Sequence, residues 1–256
     1  MTANFHTHTK RCGHATGTNE EYVLAAINAG FKTLGFSDHA PYYYPDGYVS
    51  WFKMTPSELP EYSKSVNELR EKYRGTINIH LGLEAEYYPE LFGSALELWR
   101  KNGIEYLILG QHFVGKEYVE GVFHSTQKSD KEHLRLYTDT VIAAMETGKF
   151  SYLAHPDVLN YTDDDAFYEH EVRRLAEASI RCGVPIEFNL LGLYSGRHYP
   201  RDYFWKTVSV LHPTVVIGVD AHTPEAFART ETFSRAREIL QSNGLRPVSE
   251  LNFKPL

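Results

Sequence analysis

Two cysteines in 256 residues, Cys12 and Cys182, are too few for a disulfide framework. Basic residues are in the minority, 26 Lys and Arg against 33 Asp and Glu, giving a formal net charge of −7 and no basic stripe for a nucleic-acid backbone. No apolar run approaches the roughly 20 residues of a membrane helix, and the N-terminus has no signal-peptide core. These absences lead to the expectation of a soluble cytoplasmic protein, without nucleic-acid or membrane partners and of open oligomeric state, that acts on small molecules. Also missing are a linker, a charge block, a low-complexity segment, and a glycine-rich phosphate or dinucleotide fingerprint after any strand. A single domain over residues 1–256 is therefore expected, and its 42% apolar content is ample for one core. Cys182 reads as a small buried apolar side chain, and Cys12, although it lies between two histidines, is also given a structural role.

What is present is a repeated grammar of helix, glycine, apolar run and polar residue. Gly30, Gly75, Gly103, Gly148, Gly183 and Gly244 each follow a helix-like stretch and read as left-handed caps, implying six helices. Helix starts are expected at the capping boxes Thr18/Glu21 and Ser129/Glu132 and at Thr55-Pro56 and Thr223-Pro224. A seventh, poorly capped helix is expected between Tyr199 and Leu211. Between the helices lie apolar runs that read as buried parallel strands: Ala3 to Phe5, Thr33 to Phe36, Ile77 to Leu83, Tyr106 to Leu109, Tyr152 to Ala154, Pro185 to Phe188 and Val215 to Val219. Seven strand–helix units without a break predict a closed or nearly closed α/β barrel, with an open doubly wound sheet as the alternative.

The chemistry sits just past the strand ends. There the sequence places His6 and His8, Asp38-His39, Glu84, Gln111-His112, His155-Pro156-Asp157, Asn189 and Asp220-Ala221-His222, with His14 close behind the first pair. In a parallel barrel these ends share one face, so groups more than two hundred residues apart converge. Seven imidazoles with Glu84 and Asp220 exceed the needs of one tetrahedral ion and suit a cluster of two or three. A closed structural zinc site would more often use four ligands with cysteine among them. The remaining histidines, His80, His124, His133, His170, His198 and His212, are read as packing or surface residues.

The succession His6-Thr7-His8, Asp38-His39, Gly82-Leu83-Glu84, His112, His155-Pro156-Asp157 and Asp220-Ala221-His222 resembles, in order, the motifs of the PHP (polymerase and histidinol phosphatase) superfamily. The resemblance implies a distorted seven-unit α/β barrel, (β/α)7, with its metal site at the C-terminal ends of the strands. It also implies two to three divalent ions (Zn, Mn or Fe): one held by His6, His8, Glu84 and Asp220, a second by Glu84, His112 and His155, and a third by His14, His39 and His222. Within the superfamily, Ser37-Asp38-His39-Ala40-Pro41 and the Glu187-Phe188-Asn189 step, followed by Arg197 near Tyr199-Pro200, are similar to the histidinol-phosphate phosphatases of histidine biosynthesis.

That likeness implies hydrolysis of L-histidinol phosphate to L-histidinol and phosphate by metal-activated hydroxide. Arg197 is the candidate phosphoryl clamp, with His14 and His39 as further substrate contacts and Asp220 and His222 beside Arg197 in the reacting group. The alternatives are a related phosphoesterase for another small phosphate, a nucleotide or a phosphotyrosine peptide, and a non-catalytic metal-binding module. The segment from Pro41 to Lys53 carries Tyr42, Tyr43, Tyr44, Tyr48, Trp51 and Phe52, and reads either as a lid that packs on an imidazole ring or as an anchored surface loop.

Overall fold

The computed structural model describes residues 2–119, 121–123 and 128–256, so His124 lies outside the described residues. All six glycines expected to stop helices take positive φ, from 58° at Gly183 to 84° at Gly30. The helices they end are α1 (Asn19–Asn28), α2 (Leu59–Lys72), α3 (Pro89–Lys101), α4 (Lys131–Glu146), α5 (Asp165–Cys182) and, after two others, α8 (Thr230–Ser242). Those two are α6 (Leu190–Tyr194), which the sequence pattern did not suggest, and α7 (Asp202–Ser209), which falls where the poorly capped helix was expected and has no side-chain cap.

The Thr18/Glu21 capping box is present in full. The other starts shift. Asp130 rather than Ser129 caps α4, accepting from His133 N–H at 2.9 Å, because the Ser129 backbone is engaged in a bridge to Tyr161. Glu58 takes both the N–H and the hydroxyl of Thr55 at 2.7 Å, which closes a separate turn and delays α2 to Leu59. Thr223-Pro224 opens a 3-10 turn over Pro224–Ala228 instead of α8 itself.

The strands are β1 (Ala3–Asn4), β2 (Thr33–His39), β3 (Asn78–Ala85), β4 (Tyr106–Leu109), the hairpin β5 (Phe113–Val114) and β6 (Val122–Phe123), then β7 (Phe150–Leu153), β8 (Ile186–Asn189), β9 (Val215–Gly218) and β10 (Pro247–Val248). Eight of them form one sheet in the order β1-β2-β3-β4-β7-β8-β9-β10, every neighbour parallel. Seven match the expected runs. The eighth, β10, pairs with the start of β9 at Val215 and Val216.

The sheet curls until the chain after β1 meets the end of β9. Thr7 bridges Ala221, and His8 N–H donates to Ala221 O at 2.9 Å. Asn4 completes the seam: its Oδ1 accepts from Val219 N–H at 2.8 Å while its Nδ2 donates to His6 O at 3.0 Å and Thr7 Oγ1 at 2.8 Å. A buried amide thus stands in for ladder bonds that two diverging strands cannot make. The result is a distorted α/β barrel rather than an open sheet.

The opposite end of the barrel is plugged by aromatic packing. Phe253 stacks on Tyr106 at 4.5 Å and meets Phe5 and His80 edge-on at 5.5 Å and 5.0 Å. Tyr106 Oη lies 2.9 Å from Phe5 O and 3.1 Å from Phe36 O, tying the floor to the strands that lead to His6 and His39. The main core lies between the helices and the outer face of the sheet. No helix among the described residues is long and apolar enough to cross a membrane.

Candidate metal centre

β1 delivers His6 and His8, β2 His39, β3 Glu84, β4 His112, β7 His155, and β9 Asp220 and His222, all to one end of the barrel. His14 arrives on the chain after the short 3-10 turn Lys10–Cys12, whose Thr9 cap binds Asp38 through both its N–H and its hydroxyl. Two of the turns that do this are strained. His155 has φ of 29° and Asp220 φ of 52°, backbone values that a side chain other than glycine adopts only when its surroundings over-determine it. Space for the carboxylates is made by glycines on neighbouring strands: a Cβ on Gly110 would lie 2.0 Å from Glu84 Oε1, and one on Gly218 only 1.7 Å from Glu187 Oε1.

Four of the expected ligands converge on one point. His6 Nε2 lies 3.5 Å from Glu84 Oε2 and 3.4 Å from Asp220 Oδ1, and His8 Nε2 lies 3.4 Å and 3.2 Å from the same two oxygens. All four atoms are buried without a hydrogen-bond partner. Ligands about 2.0–2.1 Å from a tetrahedral ion stand about 3.3–3.4 Å apart, so these separations fit a cation and leave costly orphaned atoms without one. Glu84 Oε1 faces the other way, 2.8 Å from His155 Nε2 and 3.4 Å from His112 Nε2. His14, His39 and His222 form a further group whose ligand atoms lie within 4.8 Å of one another, joined to the rest through His39 Nδ1, 3.1 Å from Glu84 Oε2. All nine sequence-predicted ligands are therefore brought to one site, Glu84 standing between its halves.

Electrostatics divides the histidines. Burial works against charging His6, His8 and His112, but neighbouring carboxylates outweigh it. His6 is raised well above the ordinary imidazole value by Asp220, Glu187 and Glu84, His8 to about 9 by Asp220, Asp38 and Glu84, and His112 to about 10 by Glu84 and Glu86. Burial and the His8 charge push His14, His39 and His222 the other way, so they stay neutral. Glu84 and Asp220, despite burial, are held well below the carboxylate range by the surrounding imidazoles. Cys12 lies beside His8 and His222, but burial and Asp38 push its thiol up to about 12, which keeps it protonated and a poor ligand.

Behind the candidate ligands stands a shell to which the sequence reading gave no role, although it quoted Glu187 and Asn189 as part of a motif. Glu187 Oε1 accepts from His6 Nδ1 at 2.8 Å, while its Oε2 accepts from His155 N–H at 3.0 Å and Asn189 Nδ2 at 2.9 Å. Glu86 Oε1 lies 2.9 Å from His112 Nδ1. Such partners fix the tautomer that leaves Nε2 free for a metal. The signal that would have found them is a carboxylate in or beside an otherwise apolar buried strand, too costly to keep without a partner.

The cleft over the cluster has a volume of ≈ 520 Å3 and is walled by Trp51, Phe52, Val158, Leu191, Arg197 and Tyr199. Arg197 donates to Tyr199 Oη at 2.6 Å and lies against the same ring. The aromatic segment is anchored, and it also packs on imidazoles: the Phe52 ring meets His39 at 4.7 Å and His112 at 5.8 Å. Asp157 points elsewhere, accepting from Arg201 N–H at 2.6 Å, with its carboxyl raised to about 7 by burial. His80, His133, His170, His198 and His212 take no part in the cluster.

An α/β barrel with histidines and carboxylates gathered at the C-terminal ends of its strands defines a metal-dependent hydrolase-type site. The PHP domain family matches residues 4–190, and the chain belongs to that family. It is 28% identical over 227 residues to a probable histidinol-phosphatase of Deinococcus radiodurans, covering 86% of this chain and 85% of that one. It is 25% identical over 250 residues to a histidinol-phosphatase of Bacillus subtilis, covering 85% and 92%. Its fold is similar to the histidinol phosphate phosphatase of Lactococcus lactis crystallised with zinc, L-histidinol and phosphate, with a TM-score of 0.76 over 98% of both chains at 18% identity.

Proposed function

We propose that the protein is a metal-dependent phosphomonoesterase that hydrolyses L-histidinol phosphate to L-histidinol and phosphate. The observation that carries this reading is the set of four orphaned ligand atoms on His6, His8, Glu84 and Asp220, spaced as a cation requires, the last three of these residues lining a cleft. Its curated relatives named histidinol-phosphatase support the choice of substrate. The proposed complement is two to three divalent ions, Zn, Mn or Fe. His6, His8, Glu84 and Asp220 hold the first, Glu84 with His112 and His155 the second, and His14, His39 and His222 the third.

When bound, such ions neutralise phosphoryl oxygens and acidify water. The chain supplies the rest. Arg197, fixed by Tyr199, engages the phosphoryl group with its planar fork. His14, His39 and His222, neutral because of burial and the His8 charge, remain available as ligands near neutral pH, and His14 and His39 border the phosphoryl subsite. Asp220 and His222, which line the same cleft as Arg197, complete the reacting group. Trp51, Phe52, Val158 and Leu191 give the imidazolyl end of the substrate an apolar wall and keep bulk water from the cluster.

The test is phosphate release by protein loaded in turn with Zn, Mn and Fe, from histidinol phosphate and from a panel of nucleotides, phosphotyrosine and generic monoesters. A specificity constant at least about tenfold higher for histidinol phosphate, or about 1.4 kcal/mol in transition-state binding, is expected. Equal rates across the panel would transfer the reading to a less selective phosphoesterase of the same family.

A further inference from the structure

Behind His112, on the side away from the cleft, lies a buried charge cluster that the reaction above does not use. The Lys53 ammonium is 2.8 Å from Glu86 Oε2 and 2.5 Å from Glu117 Oε2, and it donates to Tyr44 Oη at 2.9 Å. Only 1% of the lysine side chain is exposed, and neither carboxylate reaches solvent. The ammonium also lies over the rings of Phe52 at 4.8 Å and of Tyr42 and Tyr88 at 5.5 Å. Well-packed apolar side chains would fill such a volume at less cost than two buried carboxylates and a cation, so the cluster asks for a reason beyond stability.

The connections supply one. Glu86 shares itself between Lys53 and His112 Nδ1, Glu117 comes from the turn between β5 and β6, and Lys53 ends the aromatic segment whose Phe52 packs on His39 and His112. One ammonium therefore joins the wall of the cleft to the carboxylate that orients a ligand.

We propose that Lys53 is a positioning residue for the metal centre: through Glu86 it keeps His112 with Nδ1 protonated and Nε2 toward Glu84, and through its own segment it holds Phe52 against the same imidazole. Without the cation, Glu86 loses the partner that fixes its second oxygen and turns toward another donor, and His112 loses a fixed acceptor on Nδ1. The inference rests on the reading of His112 as a metal ligand and needs no particular substrate.

The experiment measures zinc affinity of the metal-stripped protein by chelator competition. Lys53→Met alone strands two buried carboxylates, so the main variant is the pair Lys53→Met/Glu117→Gln, which removes one charge of each sign and keeps the cluster's net charge; circular dichroism and thermal melting establish that it folds. The zinc-binding step of the ion assigned to Glu84, His112 and His155 should weaken about 10- to 100-fold, so at least one step of the titration shifts. In a Glu86→Gln background the same pair should add less than about threefold, because the coupling runs through Glu86. An exposed control, Lys72→Met, should change nothing. Unchanged zinc affinity in the folded pair, or a full additional loss in the Glu86→Gln background, would overturn the proposal and leave Lys53 a packing residue. Since substrate is absent, a wild-type protein inactive on histidinol phosphate would sink the proposed reaction without altering this result.

Discussion

Glu187→Gln replaces one oxygen by an NH2 group at a site with no room for adjustment, and its consequence can be worked out atom by atom. The carboxylate accepts from three donors: His6 Nδ1 on one oxygen, His155 N–H and Asn189 Nδ2 on the other. A glutamine has one acceptor end. If its oxygen faces His6, the new N–H groups confront two donors, which leaves buried N–H groups unsatisfied at about 1–3 kcal/mol each. If the oxygen faces His155 and Asn189, the amide nitrogen donates to His6 Nδ1, and the imidazole must carry its proton on Nε2. That proton would then point at Glu84 and Asp220, 3.5 Å and 3.4 Å away, where the cation is expected. The second orientation keeps more hydrogen bonds and should win, so a modest loss of stability comes with the wrong tautomer of a ligand. We expect the protein to fold and its zinc affinity to fall about 10- to 100-fold, or about 1.4–2.8 kcal/mol. Chelator competition on the stripped protein, with thermal melting as a folding control, is the assay. Wild-type zinc affinity in a folded Glu187→Gln protein would refute the tautomer argument.

Three further outcomes are expected. Glu84→Ala should abolish phosphatase activity and lower metal content together, because both of its oxygens face ligands; elemental analysis of a loaded, active wild type giving no more than one ion per chain would contradict the cluster. Arg197→Ala should lower kcat by about 10² to 10³, or about 2.7–4 kcal/mol, with metal content intact and only partial recovery in Arg197→Lys, whose ammonium lacks the planar fork; wild-type kcat and KM in both would place the guanidinium outside the reaction. His8 and His112, raised to about 9 and about 10, stabilise the metal-free fold fully below the unfolded value near 6.5, and that contribution is lost as pH rises through 9 to 10. Metal must displace those protons, so zinc loading at about pH 7.5 in weak buffer should release protons from His6, His8 and His112, and affinity should climb with pH; a proton count of zero would refute the assignment.

The fold was legible wherever a local rule governs it. Each glycine that follows a helix took the left-handed conformation, and the strand Tyr106–Leu109 begins and ends where its apolar run does. What could not be read depends on partners remote in sequence. β10 exists because Thr7 meets β9 only beyond its end, at Ala221, which leaves Val215 and Val216 with an open edge that Pro247 and Val248 cover. Nothing local in those last two residues announces a strand. Ser129 failed as a cap for a similar reason, since its backbone was needed by Tyr161.

The site shows the same division in its chemistry. The candidate ligands could be picked out because histidine pairs and a lone glutamate past apolar runs are costly oddities, and parallel strands bring such positions together. The orienting carboxylates could not, although Glu86 lies only two residues beyond Glu84 on the same chain. Both are fully buried, yet only the partners across the barrel separate their tasks: Glu84 turns its oxygens to His6, His8, His39, His112 and His155, and Glu86 to His112 Nδ1 and Lys53. A carboxylate that gathers several imidazole Nε2 atoms can share a cation with them, whereas one that meets imidazole only at Nδ1 sets a tautomer; Glu84 does the first at His6, His8, His112 and His155 and meets only His39 through Nδ1, at 3.1 Å. Which face of the ring it meets is fixed by the turns that aim the imidazoles, and at His155 and Asp220 those turns use backbone angles that neither residue type would choose alone. The strain is sustained because the surrounding bonds converge on it: His155 N–H on Glu187, and the Asp220 carboxylate on Asn189 at 3.1 Å. Ligand identity is thus a property of single residues, while ligand orientation belongs to the closed barrel.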